Sequence, residues 1–213
     1  MLKELSRQQK LYLLKIMCIE FPMDIISFFI VPIALLFCNK ESNNLPKIFS
    51  WFDDPDYGIN GDDGWKNEHF PNGKNTTYWA RCQWLWRNRI GNFSKKFFGL
   101  KVEDIDPSTV VTQGDPRATY VKGWRDTYCL VTCKTKDGKE YFGLYKEIRY
   151  RGIFKNFYCR IYVGTKLMDI AGMTPENQHE FMDENDKPYL LSVAAIHPLK
   201  KLKNEYNPDR KGI

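Results

Sequence analysis

Between Leu11 and Cys38 the chain is mostly apolar, and from Ile25 to Cys38 it runs 14 residues without a charge. So much continuous hydrophobic surface has to be withdrawn from water, either into a core or into lipid. A spanning helix needs about 20 residues, and shorter runs occur as core helices, interfacial segments or signal-peptide cores. Lys15, Glu20 and Asp24 interrupt the longer stretch, and Pro22 and Pro32 break its helical periodicity. Lys3, Arg7, Lys10 and Lys15 give it a basic start. A small-x-small cleavage pattern does not follow it, and bulky Phe37 precedes Cys38 where a lipoprotein site wants a small residue. Two readings stand: a bent, membrane-embedded anchor whose cations reach the interface, or a helical hairpin broken near Pro22 that packs on the rest of the chain. If the segment spans, its cations favour a cytoplasmic N-terminus.

The remainder is of a different kind. A composition of 43% hydrophobic and 15% aromatic residues excludes a disordered chain, and 213 residues suit one domain with an appendage. Residues 1–63 hold 6 Lys+Arg against 9 Asp+Glu, whereas residues 64–213 hold 26 against 17. The basic part is suited to phosphate, an acidic protein or an anionic membrane surface. Six cysteines are too sparse for a disulfide scaffold and too scattered for a zinc module. The expected division is an apolar segment 1–42, a domain 43–199 and a polar tail 200–213.

From Trp51 to Trp65 lies the densest polar stretch. Asp53, Asp54, Asp56, Asp62 and Asp63, with Asn60, fall within eleven residues, punctuated by Pro55 and by Gly58, Gly61 and Gly64. This is turn chemistry. The five carboxylates admit a divalent cation, since hard ions take several oxygens from a flexible loop, although EF-hand spacing is absent. They equally suit successive Asx-turns in which carboxylates accept backbone N–H bonds, or paired carboxylates in a hydrolase or nuclease site. No other cofactor is expected.

Trp79, Cys82, Trp86, Ile90, Phe93 and Phe97 are separated by 3, 4, 4, 3 and 4 residues, which predicts one helix from Tyr78 to Gly99 with this stripe in the core. Arg81, Arg87, Arg89, Lys95 and Lys96 lie off the stripe with Trp84 among them. Cations interleaved with aromatics fit single-stranded nucleic acid, or Arg81 or Arg87 pairs with the aspartates. Further on, alternation at Tyr128–Cys133 and Phe142–Ile148 around Asp137-Gly138 predicts a β-hairpin. Phe157–Val163 and Leu190–Ile196 read as further strands, the stretch Ala171–Lys187 as a surface loop with a short helix, and the end from Lys200 as frayed. The fold class expected is α+β, an antiparallel sheet of four to six strands beside one main aromatic helix. Cys129 and Cys133 share a strand face as small hydrophobes. P-loop, dinucleotide, zincin and nucleophile-elbow motifs are all missing.

The order of motifs adds a further expectation. Leu45-Pro46, Trp51-Phe52, Gly61-Asp62-Asp63-Gly64-Trp65, Tyr78-Trp79-x-Arg81-x-x-Trp84-Leu85-Trp86-Arg87-Asn88, Thr112-x-Gly114-Asp115-Pro116 and Arg160-x-Tyr162-x-Gly164-x-Lys166-Leu167 follow one another after an apolar segment. From about residue 25 to 198 this resembles a family of uncharacterised tailed-bacteriophage proteins, with Thr165 standing where the pattern has Trp. The resemblance implies a small phage accessory protein with an apolar N-terminus and supplies no activity; joined to the apolar segment Leu11–Cys38, the expectation is a non-enzymatic protein at the host bacterial inner membrane that binds a host or phage protein in host takeover, defence inhibition or superinfection exclusion. The alternatives are a metal-dependent hydrolase and a virion structural protein. The expected contact residues are Trp51, Asp62, Asp63, Trp65, Arg81, Trp84, Arg87 and Asn88.

Overall fold

The computed structural model describes residues 2–39, 41–69, 77–121, 126–169, 181–182 and 188–202. Two compact units emerge: a helical unit of residues 17–99, and a sheet unit of residues 1–16 with 100–213.

The sheet unit begins with α1 (Arg7–Lys15). Ser6 caps it, accepting from the Gln9 backbone N–H while the Gln9 side chain accepts from the Ser6 N–H. Five strands follow in the order β2 (Val111–Gly114), β3 (Thr127–Lys134), β4 (Glu140–Arg149), β5 (Phe157–Thr165) and β8 (Ser192–Lys201), all antiparallel. This is the antiparallel sheet that the alternating pattern predicts, with the Asp137-Gly138 turn closing β3 on β4. The last strand runs to Lys201, so Lys200 and Lys201 are paired strand residues rather than frayed tail. A smaller sheet joins β1 (Leu100–Lys101), β7 (Pro188–Leu190) and β6 (Phe181–Met182). The other residues of the predicted loop 171–187, and residues 203–213, lie outside the described residues.

Strand alternation sends side chains to two cores. Leu130, Phe142, Leu144 and Val163 pack under Leu5, with Tyr12 and Leu13 of α1 against them. Cys129, Val131, Cys133 and Tyr145 face the other way, onto Leu100, Ile105, Leu167 and Leu190. The Gln9 side-chain amide donates to the Tyr141 carbonyl at 3.2 Å, and the Tyr12 and Thr165 hydroxyls bond at 2.9 Å. The first 16 residues therefore complete the sheet unit. Thr165 is fully buried and hydrogen-bonded there.

The helical unit contains α2 (Phe21–Leu36), a 3₁₀ turn (Lys47–Phe52), α3 (Asp63–His69), α4 (Tyr78–Arg87) and α5 (Gly91–Phe98). The hairpin broken near Pro22, one of the two readings of this segment, does not form. Residues Arg7–Leu36 are one helix of 30 residues, with a π turn at Ile16–Glu20 just ahead of Pro22. A proline ring clashes with the carbonyl one turn back, and a widened turn relieves that without breaking the helix. The single helix expected over residues 78–99 is instead α4 and α5. Asn88 ends α4, donating its N–H to the Trp84 carbonyl at 3.0 Å. Ile90 then turns the chain at a φ of 50°, a left-handed conformation that costs a β-branched residue about 1–2 kcal/mol. Because the chain turns, the stripe divides: Cys82, Ile90 and Phe93 are buried, while Trp79 and Phe97 are exposed.

Candidate functional site

The acidic loop is built from its own aspartates. Asp53 accepts the Leu45 N–H at 2.8 Å and the Asp54 N–H at 3.0 Å. Asp54 accepts from Asp56 at 3.0 Å and from Tyr57 at 2.9 Å, an Asx-turn. Asp62 caps α3 by accepting the Trp65 N–H at 2.6 Å. Asp63 pairs with Lys66 at the surface, 3.4 Å away, and Asp56 is exposed. Among the described residues there is no group of three or more His, Cys, Asp or Glu side chains placed to hold a metal ion.

Helix α4 closes the loop. Arg81 is buried; its Nε donates to Asn60 Oδ1 at 3.0 Å and an Nη to the Ser42 carbonyl at 3.3 Å. Trp84 is buried too, its indole N–H donating to the Gly58 carbonyl at 2.9 Å, with the rings of Tyr57 and Trp65 6.2 and 5.7 Å away. Gly58 stands at φ 58°, where a Cβ would lie 2.0 Å from the Asn43 carbonyl oxygen, so this close approach requires glycine. Arg87, placed by sequence opposite the aspartates, lies over the Trp65 and Trp84 rings at 5.9 and 5.7 Å, a cation–π contact. Arg89 pairs with Asp24 at 2.8 Å and covers the Phe28 ring.

Of the expected contact residues, Trp65, Arg81 and Trp84 are thus interior and hold the loop in shape, and Asn88 ends a helix. Asp63, Arg87 and Trp51 reach the surface. Trp51 stands apart from the loop, against Phe93 and Phe97, with Lys96 over its ring.

Asp53 is almost fully buried, and burial pushes its carboxyl up to about 6, against the two N–H bonds from Leu45 and Asp54 that favour the anion. The folded unit therefore holds this proton more tightly than the unfolded chain. Stability from Asp53 is fully present below about pH 4 and declines as pH rises through 6, by up to about 3 kcal/mol. Chemical denaturation across pH 4 to 7 is expected to show this fall, and Asp53→Asn to flatten it.

Sequence reasoning passed over the outer face of α2. Pro22, Ile25, Phe29, Ile33 and Leu36 form one stripe at helical spacing, flanked by Ile26, Phe28 and Phe37, and every one of them is exposed. Phe29 is 70% and Leu36 71% exposed. Ser27, Val31, Ala34 and Leu35 on the opposite face are buried, and α2 packs on α4 and on the 3₁₀ turn. The Ser27 hydroxyl is satisfied by the Asp24 carbonyl at 2.6 Å. The uniform apolarity was visible in sequence, but which face meets the unit was not. Exposed Ile48, Trp51 and Phe97 add to the same unit's apolar surface. The Arg7–Leu36 helix is long and apolar enough to cross a membrane.

A family of unknown function (DUF7338) matches residues 9–183. No curated protein and no solved structure matches the chain.

Proposed function

The chain belongs to that family of unknown function, and we propose that it is a non-enzymatic accessory protein of phage infection, held at the host membrane by α2, that binds a host or phage protein. The exposed stripe from Pro22 to Leu36 carries this reading. A surface helix in water shows a polar outer face, and this one shows none. The phage setting rests on the motif order from Leu45-Pro46 to Lys166-Leu167. The non-enzymatic part is supported by the acidic loop, whose Asp53, Asp54 and Asp62 carboxylates are engaged by backbone N–H groups. The partner-facing surface is then the rim that the loop leaves open, with Asp56, Tyr57, Asp63 and Arg87 exposed.

Fractionation of expressing cells tests the first half: the protein is expected in the membrane pellet and to be released by detergent, and recovery in the soluble fraction overturns the reading. For the second half, a tagged chain carrying Asp56→Asn, Asp63→Asn and Arg87→Ala is expected to lose a partner captured by the unaltered chain from infected cells. Asp62 is left intact because it caps α3.

A further inference from the structure

We infer that α2 lies in the plane of one leaflet of an anionic bilayer and does not cross it, so that both chain ends stay on the same side. This rests on the membrane reading above and specifies its geometry. A crossing helix meets lipid on all faces, whereas the inward face of α2 is already occupied. Ser27, Val31, Ala34 and Leu35 are buried in the helical unit, and the Tyr78 hydroxyl donates to the Pro32 carbonyl at 3.0 Å. At its start, Glu20 is buried and accepts the Ser94 hydroxyl at 2.8 Å, and Asp24 is paired with Arg89. Crossing would either strip these contacts or carry Asp24, Arg89 and Ser94 into hydrocarbon, where ionised groups are strongly disfavoured.

The outward face has the opposite character along its length, with Pro22, Ile25, Phe29, Ile33 and Leu36 in line. That combination, one face packed on protein and one face apolar and open, is what an interfacial helix presents to a headgroup and acyl boundary. Trp79 stands exposed on the same unit, its ring 6.3 Å from that of Trp86, which in turn lies 5.9 Å from Phe28 of α2. Amphipathic rings favour the headgroup level.

Charge selects the lipid. Neither carboxylate of this stretch of the helical unit is open to lipid: Glu20 is buried and Asp24 is held by Arg89. Lys47 is exposed beside exposed Ile48, and Lys96 lies over the Trp51 and Phe97 rings. Cations around an apolar face complement anionic phospholipid and are screened by salt.

Three measurements on the full chain test this. With an epitope tag at each end, protease is expected to cut both tags in the same orientation of vesicles, right-side-out or inverted. Cutting in opposite orientations, or loss of the N-terminal tag by processing, overturns the inference while leaving membrane association standing. Absence of the protein from both vesicle preparations overturns the wider membrane reading as well. Flotation with vesicles containing phosphatidylglycerol is expected to retain at least ten-fold more protein than phosphatidylcholine vesicles, and equal retention overturns the anionic assignment. Phe29→Glu with Ile33→Glu, at exposed positions, is expected to leave the circular dichroism spectrum unchanged and abolish flotation. Unchanged flotation of that variant overturns the placement of this face in lipid.

Discussion

Trp84→Ala is expected to destabilise the helical unit by about 4 kcal/mol, a large share of the stability of a unit this size. Three losses combine at this position. The side chain is only 2% exposed, so its removal leaves a cavity between α4 and the acidic loop that rigid neighbours cannot fill. The Gly58 carbonyl loses its indole donor at 2.9 Å, and an acceptor buried without a partner costs about 1–3 kcal/mol. The rings of Tyr57 and Trp65 and the guanidinium of Arg87 lose the surface on which they assemble. Denaturant unfolding followed by far-ultraviolet circular dichroism measures the effect, because the substitution removes a fluorophore. Trp79→Ala serves as the control: its ring is exposed, and a change below about 0.5 kcal/mol is expected. Similar losses for the two variants would show that Trp84 is not the pin of the loop.

Gly164→Ala is expected to be comparably damaging in the sheet unit. Gly164 lies directly across from Gly143 in the β4–β5 ladder, and its φ of 105° is one that residues with a Cβ rarely adopt. An added Cβ would stand 2.2 Å from the Phe142 carbonyl oxygen. The obstacle is backbone in the middle of the five-stranded sheet, so relief requires moving a central strand. Strained conformation and clash together are expected to cost about 3 kcal/mol or more. The fall in thermal midpoint should exceed that of Gly138→Ala, where the hairpin turn also sits at positive φ but the space around the Cβ is open. Equal falls would mean that conformational strain alone accounts for the effect.

What could be read from the chain varied with the range of the interaction responsible. The β3–β4 hairpin and the α+β class follow from alternation and from Asp137-Gly138, which are local and repeat often enough to outweigh any single contact. The Asx-turn reading of the acidic loop was likewise open to inspection, because an aspartate two residues before an N–H carries its own geometry. The aromatic stripe misled for a physical reason. Spacings of three and four describe a helix face only while the helix is unbroken, and the left-handed turn at Ile90 interrupts it with no glycine or proline at that position to announce it. Arg81 and Trp84, both off the stripe, proved to be interior because the loop folds back over the other side of α4.

The sequence by itself determined where apolar, acidic and aromatic residues lie along the chain, and so the existence of a hydrophobic N-terminal segment, a turn-rich acidic loop and an antiparallel sheet. Only the tertiary structure decided how each was used. A helix apolar on all sides has no preferred face until another element covers one, and here α4 and the 3₁₀ turn cover Ser27, Val31, Ala34 and Leu35. The stripe from Pro22 to Leu36 is exposed because the opposite side packs. The first 16 residues join the sheet unit because Gln9 and Tyr12 find Tyr141 and Thr165 more than 130 residues away. Contacts at that separation depend on the path of the whole chain, which local spacing does not encode.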